Sequence, residues 1–435
     1  MLTAITRAFR TPDLRKKLLF TLGIIVLFRL GSVLPTPGVN SENIRLCLEQ
    51  AQAGDAGNIY GMVQLFSGGA LLKLSVFALG IMPYITASII LQLLTVVIPR
   101  LETLKKEGQA GQAKITQYTR YLTVALAVLQ STAFIALARS GQLFPNCTEP
   151  ILVSEDIFPL VTMVITMTAG TAVIMWFGEL ITDRGIGNGM SLLIFTQVIA
   201  VFPAELANIY RQSPLKFAVV MAVGVVIVAV VIFIEQAQRR IPVQYAKRLV
   251  GRRMYGGTST YIPLKVNQAG IIPVIFASSL LYLPQLAVTL FGNTENPNVI
   301  IEWFAEYLVS GDHPVYMATF FALIIFFTYF YVSITFNPAE VADNMKKYGG
   351  FIPGIRPGRP TAEYLNYVLT RLTAAGAPYL GVISLIPIVA LAVAGASQNF
   401  PFGGTSILIM VGVGLDTVKQ IESQLQQRNY EGFLR

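Results

Sequence analysis

Residues Asn58 to Pro99 read NIYGMVQLFSGGALLKLSVFALGIMPYITASIILQLLTVVIP and place two apolar segments of unequal length next to each other. The first, Asn58 to Phe66, would extend only about 13 Å as a helix, which is less than half of a bilayer core. A flexible Ser-Gly-Gly joint at 67–69 follows it. The second segment, Leu74 to Ile98, is predicted to cross the membrane as a helix that stops at Pro99. A half-span joined to a full span predicts a movable segment beside a fixed wall.

The composition indicates an all-α polytopic membrane protein. Of 435 residues, 54% are hydrophobic and only 13% are charged, and the apolar residues form long runs instead of amphipathic stripes. Ten spans are predicted, near residues 18–35, 74–98, 121–138, 157–178, 190–204, 217–234, 269–291, 315–335, 374–395 and 402–418.

The lysines and arginines predict the orientation of these spans, because positively charged loops stay on the cytoplasmic side. With both termini inside, 26 of the 32 Lys and Arg residues fall in inner segments, five fall in outer loops, and Arg29 lies in the first span. The ten spans divide into an N-terminal half, 1–204, and a C-terminal half, 205–435. An odd number of spans in each half inverts one half relative to the other, which predicts inverted repeats around a central pathway.

Two large inner loops are predicted to bind a partner. The loop 235–267 carries seven Lys and Arg residues against the single acid Glu235, and RNA phosphates or an acidic protein surface would both fit it. In the loop 337–371, the prolines and glycines between Gly349 and Pro360 exclude a regular helix there and would hold Arg356 in a fixed position. Binding to either loop is expected to be sensitive to salt.

The spans lack the groups that other classes of membrane protein need. Between their ends they contain no Asp, Glu, Lys or His: Arg29 lies near the outer end of the first span, and Asp416 lies two residues from the end of the tenth. Ion-coupled carriers, by contrast, place carboxylates at mid-membrane. A secondary transporter with a re-entrant hairpin is therefore the disfavoured alternative, and an inert scaffold would not need a hinged half-span. We predict no enzyme activity, no metal and no cofactor, because no catalytic constellation or metal-ligand spacing is found.

Two further features leave alternatives open. Ile81 and Ile85 share one helix face, so they would form either a lipid-facing stripe or part of an apolar constriction in an aqueous path. Cys47 and Cys147 both fall in outer loops, where a disulfide is permitted, but two cysteines in 435 residues do not require one.

The chain resembles the SecY family, the channel subunits of the bacterial Sec protein-conducting translocon, over nearly its whole length. The resemblance rests on long motifs in family order: LFSGGALLKLSVFALGIMPYITASIILQLLTVVIP, KKEGQAGQAKITQYTRY, GIGNGMSLLIF, RRIPVQYAKR, GRRMYGGTSTYIPLKVNQAGIIPVIFASS, YGGFIPGIRPGRPT and NYEGFL.

The resemblance implies an hourglass pore with a plug and a ring. The plug would close the outer funnel, and its residues would be Asn58, Ile59, Tyr60, Gly61, Met62, Val63, Gln64, Leu65 and Phe66. The ring would contain Ile81, Ile85, Ile194, Ile275 and Ile409. The family often has isoleucine one turn before Ile194, where this chain has Met190.

The resemblance also implies a lateral gate and a set of partners. The second and seventh spans, with the third and eighth, would part to release transmembrane segments into lipid. Thr86, Gln92, Ser278 and Ser279 would line that gate. The loops with Arg252, Arg253 and Arg356 would receive the SecA motor ATPase or the ribosome, SecE would clamp the two halves, and SecG would be a peripheral subunit. Signal sequences and unfolded polypeptides would be the substrates, and the bacterial plasma membrane the location.

Overall fold

The structure is a computed structural model that describes residues 9, 11–52, 68–139, 147, 150–154, 156–245, 248–250, 253–255, 259–291, 299–309, 313–394 and 404–431. In this part of the chain the helices are α1 Pro12–Val33, α2 Ser41–Gln52, α3 Met82–Val97, α4 Pro99–Lys106, α5 Gln109–Arg139, α6 Ile157–Arg184, α7 Gly189–Gln212, α8 Pro214–Gln236, α9 Ile272–Phe291, α10 Val299–Phe304, α11 Pro314–Thr335, α12 Pro338–Lys347, α13 Arg359–Ala394 and α14 Gly404–Glu431. The strands are β1 Gln238–Tyr245, β2 Arg248–Val250, β3 Arg253–Tyr255, β4 Ser259–Lys265 and β5 Gly350–Phe351.

Each of the ten predicted spans overlaps a helix. Among the described residues, six helical segments are long and apolar enough to cross a membrane, and the bent pair of α3 and α4 raises the number to seven. The all-α polytopic class is therefore confirmed, while ten crossings and the division at residue 204 stay predictions. Helix α7 continues to Gln212 with Pro203 inside it, so the fifth predicted span is longer than its apolar run suggested.

The second predicted span was wrong in its first third. Helix α3 begins only at Met82, and residues 69–81 form a series of tight turns. Leu74 and Gly80 have positive φ angles of 45° and 58°, which a continuous right-handed helix excludes. This turn ribbon is held by α1, because the Val76 amide donates to the Leu34 carbonyl oxygen at 2.9 Å. At its other end α3 stops before Pro99, as predicted, and α4 leaves at 101°.

The inner loops contain a small β-sheet that periodicity did not reveal. Strand β1 lies between β4 and β5, and both pairings are antiparallel. Strand β5 comes from the second loop, so Gln244 and Tyr245 of the first loop pair with Phe351 and Gly350 of the second. Buried side chains under the sheet come from both loops and from α13; they include Ile241, Val243, Leu264, Ile352, Leu365 and Val368. We call the face with this sheet the sheet side.

A disulfide closes the opposite side of the molecule. Cys47 on α2 and Cys147 are bonded, with their Cα atoms 5.3 Å apart, which decides the question that the sequence left open. The Asn43 side-chain amide donates to the Pro150 carbonyl oxygen at 2.8 Å, and the Asn40 amide donates to Ile151 at 2.9 Å. The segment that leads toward residue 58 is thus fixed to the chain between α5 and α6.

Candidate functional site

The five isoleucines of the predicted ring lie in one buried apolar cluster. Ile81 directly precedes α3, Ile85 lies on α3, and the others lie on α7, α9 and α14; they are Ile194, Ile275 and Ile409. Their exposed fractions run from 1% to 7%. Because Ile81 and Ile85 are buried inside the chain, the lipid-facing alternative for this pair is wrong. Their action as a ring stays a prediction.

Met190 stands where the resemblance led us to expect an isoleucine. It is half-buried and packs against the same cluster. Its sulfur lies over Gly178 of α6, where a Cβ atom would collide with it. The missing side chain of Gly178 therefore accommodates the longer methionine.

A cavity of about 450 Å³ opens on the sheet side of the cluster. Polar groups line much of it, among them Asn188, Ser191, Lys265, Gln268, Asp416 and Thr417. Ile271 and Val413 belong both to its wall and to the isoleucine cluster. Val413 lies four residues from Ile409 on α14, which is about one turn, and Ile271, the residue before α9, lies four residues from Ile275. A partly polar cavity therefore adjoins the buried apolar cluster.

The helices of the predicted lateral gate are neighbours. Helix α3 packs against α5 and α9, and α9 packs against α11. The four predicted polar residues are not joined across the α3–α9 seam. The Thr86 hydroxyl donates to Met82 at 3.0 Å, the Gln92 amide donates to the Ser88 hydroxyl at 3.3 Å, and the Ser278 hydroxyl donates to Ile275 at 3.0 Å. The buried Ser279 hydroxyl has no hydrogen-bond partner among the residues that the structure describes.

This arrangement has a mechanical consequence. Each of the three bonded groups uses an acceptor on its own helix, so no hydrogen bond crosses between the described side chains of α3 and α9. Only apolar packing holds the seam in that part of the chain. Packing is lost gradually as two helices separate, and no hydrogen-bond donor or acceptor loses its partner when they do.

The basic residues predicted for docking lie on the sheet side. Arg356 is exposed in the turn between β5 and α13, and its carbonyl oxygen accepts from the Thr361 hydroxyl at 2.9 Å. Gly354 and Gly358 on either side have φ angles of 84° and 106°, so the turn has a defined shape, as predicted. Arg252 lies outside the described residues, and Arg253 is described only in its backbone, within β3.

Sequence reasoning missed two features of this surface. The Arg240 guanidinium lies 4.9 Å from the ring centre of Tyr261, its diagonal neighbour between the paired strands β1 and β4. The second feature is the pairing of β5 with β1, which makes one surface of two loops. The alternation of buried Ile241 and Val243 with exposed neighbours was the available signal for a strand.

The predicted plug, residues 58–66, lies outside the described residues. The joint that follows it is described from Gly68 onward. The Arg29 guanidinium of α1 reaches the Gly68 carbonyl oxygen at 3.5 Å, and the backbone of the buried Gln197 on α7 lies against the same glycine. The charged Arg29, near the outer end of the first predicted span, thus lies at the end of the joint.

Comparison with known proteins identifies the family. A family model described as SecY matches residues 75–418. The chain belongs to the SecY family. The protein translocase subunit SecY of Streptomyces galbus is 66% identical over 442 residues, with 100% of both chains covered.

Two solved structures share the SecY fold with this chain. One is a SecY protein whose plug domain is described as stabilising the closed state of the translocation channel; its TM-score is 0.62 at 18% identity, covering 94% of this chain and 91% of that one. The other is Sec61 in the canine ribosome-channel complex from the endoplasmic reticulum, with a TM-score of 0.59 at 17% identity and the same coverage. This SecY-family chain is a multi-pass membrane protein.

Proposed function

We propose that this SecY-family chain is a passive protein-conducting channel. It passes unfolded polypeptides across a membrane and releases transmembrane segments sideways into lipid. The observation that carries the proposal is the partly polar cavity whose wall includes Ile271 and Val413, because both belong to the buried cluster that holds the isoleucines of α3, α7, α9 and α14. An apolar layer without fixed charges excludes water and ions while it is closed, and it yields to a chain of any sequence.

The seam between α3 and α9 is the sideways exit in this proposal. Thr86, Gln92, Ser278 and Ser279 make it mildly polar, and the absence of cross-seam bonds among their described groups favours separation. A signal sequence is an apolar helix, and it would replace the packing that α3 and α9 lose. The channel itself supplies no energy in this mechanism and has no enzyme activity.

The remaining parts of the proposal come from the family. Residues 58–66 act as the plug, and SecE holds the halves 1–204 and 205–435 together, with SecG at the periphery. The sheet side faces the cytoplasm of a bacterium, and both termini lie there. The SecA motor or the ribosome binds to this side through Arg252, Arg253 and Arg356. The exposure of Arg356 on a shaped turn supports this role.

Reconstitution tests the proposal directly. The chain, with its SecE and SecG partners, is placed in proteoliposomes, and SecA, ATP and a precursor with a signal sequence are added. Protection of the precursor from external protease is expected with ATP and not without it. If purified, correctly inserted channel never protects a precursor, while the Streptomyces galbus relative does so in parallel, the proposed function is wrong.

A further inference from the structure

A buried carboxylate lies at the sheet-side end of α8. Glu235 is 7% exposed, and it is the only charged residue found buried in the described part of the chain. Glutamate is almost never buried without a partner, because the loss of hydration is costly. None of the functions described above uses Glu235.

The partner of Glu235 is an asparagine that begins the approach to α9. The Asn267 side-chain nitrogen donates to the Glu235 Oε1 atom at 2.5 Å and to the Gly270 carbonyl oxygen at 3.1 Å. Asn267 is itself 2% exposed. Gly270 has a φ angle of 63°, and α9 begins two residues later. One amide therefore connects the end of α8 to the turn that starts α9.

Two other elements hold the same short segment. Gly376 of α13 lies so close that a Cβ atom there would be 2.7 Å from the Val266 carbonyl oxygen. Lys265 forms an ion pair with Asp416 of α14 at 3.2 Å, although this pair is partly exposed and contributes little by itself. The segment 265–270 is thus held by contacts with α8, α13 and α14. It also forms one wall of the cavity.

The contacts of α9 change along its length. Its first residues follow the gripped segment, whereas Ser278 and Ser279, two turns later, have no described bond to α3. A helix that is fixed at one end and only packed along its seam can separate from its neighbour by moving about the fixed end.

From this geometry we propose that Glu235 is a positioning residue of the lateral gate. Through Asn267 it fixes the sheet-side end of α9, so that α9 stays closed against α3 until a chain enters. The effect of Glu235 on gating rests on the proposed function, whereas the anchoring of α9 by Glu235 rests on the structure alone.

The test compares five variants of the full chain in its complex: Glu235→Gln, Glu235→Leu, Asn267→Leu, the double variant Glu235→Leu with Asn267→Leu, and Glu340→Leu. Glutamine keeps an oxygen for the Asn267 amide, whereas Asn267→Leu leaves a buried carboxylate without a partner. Replacing both partners by apolar groups is less harmful than removing one. Glu340 is exposed on α12 and serves as the matched control.

Two readouts are measured in nanodiscs and proteoliposomes. The first is hydrogen exchange of the backbone amides between residues 266 and 276, and the second is transport of a precursor with a defective signal sequence. Asn267→Leu is expected to increase both, the double variant is expected to fall between it and the original chain, and Glu235→Gln and Glu340→Leu are expected to change neither. A purely structural role would lower transport of every precursor and would not raise transport of the defective one.

The outcomes separate the two proposals. Unchanged exchange and unchanged signal selection in Asn267→Leu, or effects in the double variant equal to the sum of Glu235→Leu and Asn267→Leu, would overturn the role of Glu235. If Asn267→Leu does not accumulate in the membrane, the same two readouts are compared between Glu235→Leu, which removes the acceptor of the Asn267 amide, and Glu235→Gln, which keeps it. If the original chain transports nothing, the proposed function fails, while hydrogen exchange still decides whether Glu235 anchors α9.

Discussion

Replacing Ile409 with asparagine tests whether the isoleucine cluster is the barrier to water. Ile409 is 1% exposed on α14. Burying an isoleucine side chain contributes about 1.5 to 3 kcal/mol, and a buried amide without partners costs about 1 to 3 kcal/mol. Ile409→Asn therefore destabilises the dry, closed arrangement by about 3 kcal/mol or more. Since each 1.4 kcal/mol is a factor of ten, the balance between closed and hydrated states shifts by about 100-fold.

The assay is ion conductance of the resting channel in a planar bilayer, combined with transport of a precursor that has a defective signal sequence. Ile409→Asn is expected to raise both. Ile409→Leu keeps the volume and the apolar character, so it should cost less than about 1.5 kcal/mol and leave both nearly unchanged. Ile165 on α6 is 62% exposed, and Ile165→Asn makes the same chemical change outside the cluster. If inserted Ile409→Asn channel conducts and selects like Ile165→Asn, the ring assignment is refuted.

Three further predictions concern the docking surface, the disulfide and the turn ribbon. Arg356→Glu should abolish SecA-driven transport without loss of assembly. The control Arg359→Glu, on the first turn of α13, should reduce this transport far less. Normal ATP-dependent transport by Arg356→Glu would contradict docking at this turn. Replacing both Cys47 and Cys147 with serine should lower the free energy of unfolding by roughly 2 to 4 kcal/mol, because the disulfide closes a separation of 100 residues. Thermal unfolding in detergent measures this loss of stability, with the reduced original chain as the control. Gly170→Leu should destabilise the channel by about 1 to 3 kcal/mol, since a Cβ atom there would meet the Val76 carbonyl oxygen; an unchanged melting temperature would show that the ribbon yields freely.

The helical part of the fold could be predicted because each helix has a local cause. Apolar runs place ten segments where helices are found, and a proline marks the end of α3. The start of α3 could not be predicted, because residues 69–81 are as apolar as a span. Their turns depend on α1 and α6, through contacts such as Val76 with Leu34. Tertiary contacts overrode the apolar pattern there.

Features that join distant parts of the chain were beyond local reasoning. The pairing of Tyr245 with Gly350 closes a separation of about one hundred residues. The Glu235–Asn267 bond joins the two ends of one loop, and only the positive charge of that loop was considered from its sequence. The candidate ring came from the family resemblance, and residue type alone favoured a lipid-facing stripe for Ile81 and Ile85. Burial in the folded chain was needed to remove that alternative.

The shared sheet also fixes an order of events during synthesis. Strands β1 and β4 can pair once residue 265 has left the ribosome, but β5 follows only at residue 350, and the buried side chains beneath it extend to Val368. Between β4 and β5, helices α9 and α11 must be synthesised. A half-made chain therefore has an unfinished sheet side, which can be completed only after the eighth predicted span has been made.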